Sequence, residues 1–172
     1  VSTALQGKRV VRLKCGDPGV FARGKEEADA LTKAGVAFEI VPGITAASAA
    51  SAALGGFLTE RGACDTLVLA TGQSETPQSA PNWAAALRPG TRVAIYMGVA
   101  AAPDIADHLI RAGLDQVVQI DIVAHAQKPE QIIASCTADT LLATLRDKQI
   151  LNPAIFFVTW PSGQGQVSGT DF

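Results

Sequence analysis

The chain has 172 residues, 48% of them hydrophobic and 17% charged, a balance that lets burial offset chain entropy and excludes a disordered chain. Its 14 Lys and Arg against 16 Asp and Glu give a net charge of -2, without the basic excess that neutralises nucleic-acid phosphates. Apolar runs are short and broken by Gly, Pro or charge, which excludes a membrane-spanning helix, and the opening Val1 to Leu5 has no basic-then-apolar leader, so a cytoplasmic protein is expected.

The run Arg9-Val-Val-Arg-Leu13 is β-branched and closes on the breakers Cys15-Gly-Asp-Pro-Gly19, predicting a strand that enters a loop. Gly24 to Ala34 predicts a short amphipathic helix with Ala28, Leu31 and Ala34 inward, acidic residues in its first turn and Gly35 as its stop. Ala37 to Val41 reads as a strand ending at Pro42-Gly43, and Thr45 to Leu54 as a helix of Ala and Ser able to pack closely. Further along, strands are expected at Asp65 to Thr71, Arg92 to Met97, Val117 to Ile120, Gln131 to Cys136 and Ala154 to Thr159. Helices are expected at Pro103 to Ala112 and Ala138 to Lys148, the latter with Leu141, Leu142 and Leu145 inward.

Strands and helices alternate, so the fold class is α/β. The Ser- and Pro-rich residues 74–82 suggest a linker or a loop over a site, dividing an α/β part at 1–73 from another at 83–161, with a Gly- and Ser-rich tail at 162–172. Cys15, Cys64 and Cys136 are odd in number and widely spaced, which points to reduced thiols rather than a disulfide framework or zinc site. His108, in a predicted helix, and His125, in a loop, have no partners at metal spacing, so no metal is expected.

Three segments have the composition of ligand-binding loops, each with a plain structural alternative. Leu13 to Gly24 is a strand running into a glycine-rich loop, which either approaches a ligand through its backbone or is a tight turn, and it has neither a dinucleotide nor a P-loop fingerprint. Val41-Pro-Gly-Ile-Thr-Ala-Ala-Ser48 offers Thr45 as an N-cap and free helix amides, or is a capped core helix. Ile95-Tyr-Met-Gly98 ends a strand on Met97, which either meets a ligand or fills core space.

In their order and spacing, the runs Val11 to Glu27, Val41 to Ser48 and Tyr96 to Gly98 resemble the tetrapyrrole methylases, and best the uroporphyrinogen-III C-methyltransferases. Supporting segments are Leu58-Thr59, Arg61, Ala70-Thr-Gly72, Ile122 to Gln131 and Asn152-Pro153, so the resemblance spans Gly7 to about Pro161. It implies a homodimeric, two-domain α/β enzyme that binds S-adenosylmethionine between its domains and releases S-adenosylhomocysteine. The reaction implied is C-methylation of uroporphyrinogen III to precorrin-2, for sirohaem or cobalamin. The family's cofactor contacts fall on Cys15, Gly16, Asp17, Val20, Thr45, Ala46, Met97 and Ala126.

The family's opening strand, its Gly-Pro-Gly-Asp loop and its acid-base pair have no counterpart in this sequence, which implies an incomplete N-terminal domain and leaves the catalytic acid and base unassigned. Cys15 and Ala126 stand where the family has Gly, Phe57 where it has Pro, and Glu60 and Gln73 where it has His. The acid at Glu60 opposes a carboxylate-rich acceptor, whereas Arg9, Arg12, Lys14, Arg23, Lys25 and Arg61 suit one, unless they are ordinary surface charge. The alternatives are a methylase of a later corrin precursor, or a non-catalytic cofactor-binding or dimerisation module.

Overall fold

The computed structural model describes residues 1–73 and 83–163, and the chain divides into two units, Val1–Ala46 and Ala47–Phe172. The first unit holds helices α1 (Ser2–Leu5) and α2 (Gly24–Lys33). In α2, Glu26 and Glu27 occupy the first turn and Lys33 the last, the arrangement that complements the helix dipole. Ala28, Leu31 and Ala34 are half-buried, as their spacing predicts.

The expected strands at 9–13 and 37–41 do not form. Val11, Leu13 and Ile40 are 75%, 80% and 63% exposed. Among the described residues no backbone hydrogen bond joins either segment to a neighbour. Their β-branched residues favour extended backbone, but a strand exists only where another chain segment satisfies its amides and carbonyls.

Helix α3 (Ala46–Ala53) leads into the second unit, where Ala47, Ala50 and Ser51 are buried because their side chains are small enough for close approach. The unit's sheet is built from β1 (Thr66–Thr71), β2 (Thr91–Tyr96), β3 (Gln119–Ala124), β4 (Ile132–Cys136) and β5 (Ala154–Trp160). Their order is β1-β2-β5-β3-β4. β1 runs parallel to β2, β5 is antiparallel to both β2 and β3, and β4 is antiparallel to β3. Because β1 pairs with β2 from Thr66 to Thr71, it belongs to this sheet, ahead of the division expected after residue 73. Residues 74–82, and the expected tail from 164 onwards, lie outside the described residues.

The core follows the two-residue period of the strands. Val93 and Ile95 of β2, Phe156 and Val158 of β5, and Ile120 and Ile122 of β3 all face one layer. Register places Ile95, Phe156 and Ile122 in one row and Val93, Val158 and Ile120 in the next. Helices α4 (Gly98–Arg111) and α5 (Leu141–Asp147) cover this layer through Ala102, Ile105, Leu109 and Leu141. α4 begins at Gly98, ahead of the Pro103 start that the sequence suggested, because the chain turns into it directly from β2 and keeps Pro103 inside at the loss of one amide donor. On the opposite face Ala94, Tyr96, Val123, Ile155 and Phe157 are also buried.

In α5 only part of the expected stripe points inward: Leu141 is fully buried and Leu145 packs on the core, but Leu142 is 47% exposed. Leu141→Ala is therefore expected to cost about 2–5 kcal/mol, whereas Leu142→Ala stays within about 0.5 kcal/mol, as read from urea denaturation midpoints. Equal losses in the two variants would contradict this facing of α5.

Candidate functional site

In the first unit the glycine-rich loop and the Pro42-Gly43 turn are locked together by backbone contact. Gly43 N–H donates to Asp17 Oδ2 at 2.9 Å and Gly19 N–H donates to Asp17 Oδ1 at 2.7 Å. A Cβ on Gly43 would stand 2.2 Å from the Gly16 carbonyl oxygen, so only glycine permits this approach. Residue 16 has φ +72°, and a side chain there would reach 3.7 Å from Ile44 O and 4.0 Å from Ala46 N. Cys15, Gly16 and Ala46 are exposed, and Asp17, Val20 and Thr45 are half-buried. Five of the residues expected from sequence thus lie on these two loops and the sixth, Ala46, opens α3, yet Asp17 has both carboxylate oxygens engaged in holding the loops. Those two amide donors also keep its carboxyl below the usual aspartate range, the Gly43 bond contributing most.

In the second unit the topology brings Met97 and Ala126 to one edge of the sheet. β1, β2 and β3 all point the same way, since β2 and β3 both oppose β5. Tyr96 lies opposite Ile155 and Ala124 opposite Ala154, so the chain leaves β2 and β3 at adjacent heights. This is where ligands collect in open α/β sheets.

The backbone at this edge is strained. Met97, His125 and Gln127 have φ of 55°, 50° and 63°, a left-handed conformation that costs a non-glycine residue about 1–2 kcal/mol. Such conformations persist only where neighbours over-determine them. At Met97 those neighbours are visible: Gly72 N–H donates to Tyr96 O at 2.7 Å, and a Cβ on Gly72 would stand 2.9 Å from Met97 O. A Cβ on Gly98 would stand 3.0 Å from the Phe156 ring. The Met97 side chain is 38% exposed, so it does not fill core space. His125 N–H donates to Pro153 O at 2.9 Å, Gln127 N–H to Gln131 Oε1 at 2.8 Å, and Ala126 between them is half-buried.

Sequence reasoning placed the start of α3 at Thr45–Ala46, as observed, but missed the bond that takes its Ala47 amide and the role of Gly72. The Ala47 amide is not free for a ligand, because it donates to the Tyr96 hydroxyl at 3.2 Å. The flanking glycines of Thr71-Gly72 and Met97-Gly98 were the available signal, as two glycines at strand ends mark close backbone approach. The expected cations are also partly committed: Arg12 and Lys14 pair with Glu27 at 3.2 and 2.8 Å, Arg23 with Glu26 at 3.0 Å, and Lys25 with Asp29. The exposed pairs, Arg23–Glu26 and Lys25–Asp29, add little stability. Burial pushes the Cys136 thiol up to about 11 and raises Cys64 as well, which keeps both protonated at neutral pH.

Because Asp17 is held ionised by its two amide donors, its contribution to the loop pairing is present above the ordinary carboxylate range and is lost as pH falls through its lowered value. In a nitrogen–proton correlation spectrum, the Gly19 and Gly43 amides should shift together with one midpoint below that of an unperturbed aspartate. Separate midpoints, or a midpoint at the ordinary value, would count against the shared carboxylate. Met97→Gly should raise the urea midpoint by the equivalent of about 1 kcal/mol, through relief of the left-handed backbone. A lowered midpoint would show that the side chain, not the backbone, governs this corner.

The family of Tetrapyrrole (Corrin/Porphyrin) Methylases matches residues 1–142. A siroheme synthase of Zymomonas mobilis is 40% identical over 169 residues, covering 98% of this chain and 34% of the relative, so the chain spans about a third of that protein's length. Among solved structures, a cobalt precorrin-4 methyltransferase superposes with a TM-score of 0.81 at 26% identity, covering 92% of this chain and 67% of that one. The uroporphyrin-III C-methyltransferase of Thermus thermophilus, complexed with S-adenyl homocysteine, superposes with a TM-score of 0.74 at 30% identity, covering 92% of this chain and 69% of that one. With the family matched over most of its length on an α/β sheet of the same form, the chain belongs to the tetrapyrrole methylases.

Proposed function

We propose that the chain binds S-adenosylmethionine and takes part in C-methylation of uroporphyrinogen III to precorrin-2. The observation that carries this reading is the pair of glycine loops joined at Gly16 and Gly43, with the Asp17 carboxylate accepting the Gly19 and Gly43 amides. The likeness to a Thermus thermophilus protein complexed with S-adenyl homocysteine supports the same ligand class. The proposed cofactor contacts are Cys15, Gly16, Asp17, Val20, Thr45 and Ala46 in the first unit, and Met97 and Ala126 in the second. Asp17 would act through the backbone it fixes rather than through its carboxylate. The Thr45 hydroxyl suits the polar amino-acid or ribose portion, and Val20 and Met97 the adenine or thioether.

The cofactor supplies an electrophilic methyl group on a sulfonium. The chain's own part is to hold donor and acceptor in line, and alignment alone supplies much of the rate of such a displacement. A homodimer in the cytoplasm acting on a tetrapyrrole completes the proposal, in keeping with the siroheme synthases among the relatives. A methylase of a later corrin precursor is the second reading, favoured by the TM-score of 0.81 to the cobalt precorrin-4 enzyme. The mass of the product formed from each acceptor separates the two.

Calorimetric titration of the chain with S-adenosylhomocysteine, beside a Thr45→Ala and Met97→Ala double variant, tests the cofactor reading. The parent should bind, and the double variant should bind at least about tenfold more weakly, the effect of losing roughly 1.4 kcal/mol of contact. A parent that gives no heat of binding, or a double variant that binds equally well, would overturn it.

A further inference from the structure

We propose that the Tyr96 hydroxyl is a latch that positions the start of α3 for cofactor binding, an inference that rests on the cofactor reading above. Tyr96 is the last residue of β2 and is 8% exposed. Its side chain leaves the sheet on the face opposite α4 and α5, and its hydroxyl oxygen accepts the Ala47 amide at 3.2 Å. Ala47 is fully buried and is the second residue of α3. It directly follows Thr45 and Ala46, two of the proposed contacts, just as Tyr96 directly precedes Met97, a third.

The bond joins parts of the chain 49 residues apart. Amides in the first turn of a helix have no carbonyl of their own helix to bond, so each takes a side chain, water or ligand. A phenolic oxygen suits the positive end of α3, and its ring is braced by burial beside Ile155, its partner across the strand pair. The backbone at the end of β2 is fixed independently by the Gly72 amide on Tyr96 O at 2.7 Å. The phenol is therefore anchored at its base and reaches out to α3, which makes Tyr96 a positioning residue that sets where α3 begins without touching the ligand.

Tyr96→Phe keeps the ring and removes the acceptor. The expected result is exchange of the Ala47 amide about fivefold faster by nuclear magnetic resonance and S-adenosylhomocysteine binding about fivefold weaker, with the melting temperature lowered by only a few degrees. Ile155→Val, which trims the same face but leaves the hydroxyl in place, should move neither the Ala47 amide nor the affinity. Unchanged Ala47 exchange in Tyr96→Phe overturns the latch, as does equal ligand affinity in parent and Tyr96→Phe, or an Ile155→Val variant that reproduces both losses. A parent chain that binds no S-adenosylhomocysteine overturns the cofactor reading and this inference with it, whereas binding that Tyr96→Phe leaves intact overturns the latch alone.

Discussion

The second unit depends on β5, the central strand of the sheet, paired on both sides and buried on both faces. Ala154 to Thr159 are all buried, with β2 on one flank and β3 on the other. Because β5 opposes both neighbours, β2 and β3 must run in the same direction and end at the same edge, and β1 follows by pairing in parallel with β2. Placement of Met97 and Ala126 at one edge is thus a consequence of strand polarity, without any attraction between the two residues. Phe156 adds a second constraint: its ring lies against Gly98 and fixes how closely α4 can start after β2.

Close packing and backbone strain go together at that edge. Gly72 allows a backbone contact that a side chain would displace, Gly98 one that a side chain would crowd, and the residue between their contacts, Met97, is held left-handed with its side chain turned outward. His125 and Gln127 are held in the same conformation around Ala126 by bonds to Pro153 and Gln131. Three non-glycine residues in this region at one sheet edge are a cost the packed core can bear, because burial over the β2, β5 and β3 rows far exceeds a few kcal/mol. In the first unit the joining is different, with one carboxylate and two glycines holding together a pair of loops that have little apolar burial.

Much of this was legible in the residues. The α/β class, α2, α3 and the strands β1, β2, β4 and β5 follow from periodicity and breakers, since both signals act within a few residues of the chain. Leu142 was misplaced because a run of two leucines satisfies several helical faces equally, and only the packing of Leu141 on the core chooses among them. Asp17 was legible as a polar residue in a glycine-rich loop, but its two acceptor bonds reach Gly19 and, 26 residues away, Gly43. No local pattern contains that second partner.

The sequence alone determined the alternation of strands and helices, the breakers that end them, the small-residue helix after Gly43 and the motifs that mark the family. Those features rest on local backbone preference and side-chain size, which each residue carries wherever it is placed. Tertiary structure alone decided that β1 joins the sheet of β2, that Val11 and Ile40 stay exposed without a strand partner among the described residues, and that the Ala47 amide belongs to Tyr96. The physical reason is common to all three: a backbone amide or carbonyl is satisfied by whichever distant group the fold brings within about 3 Å, and sequence spacing does not record that distance.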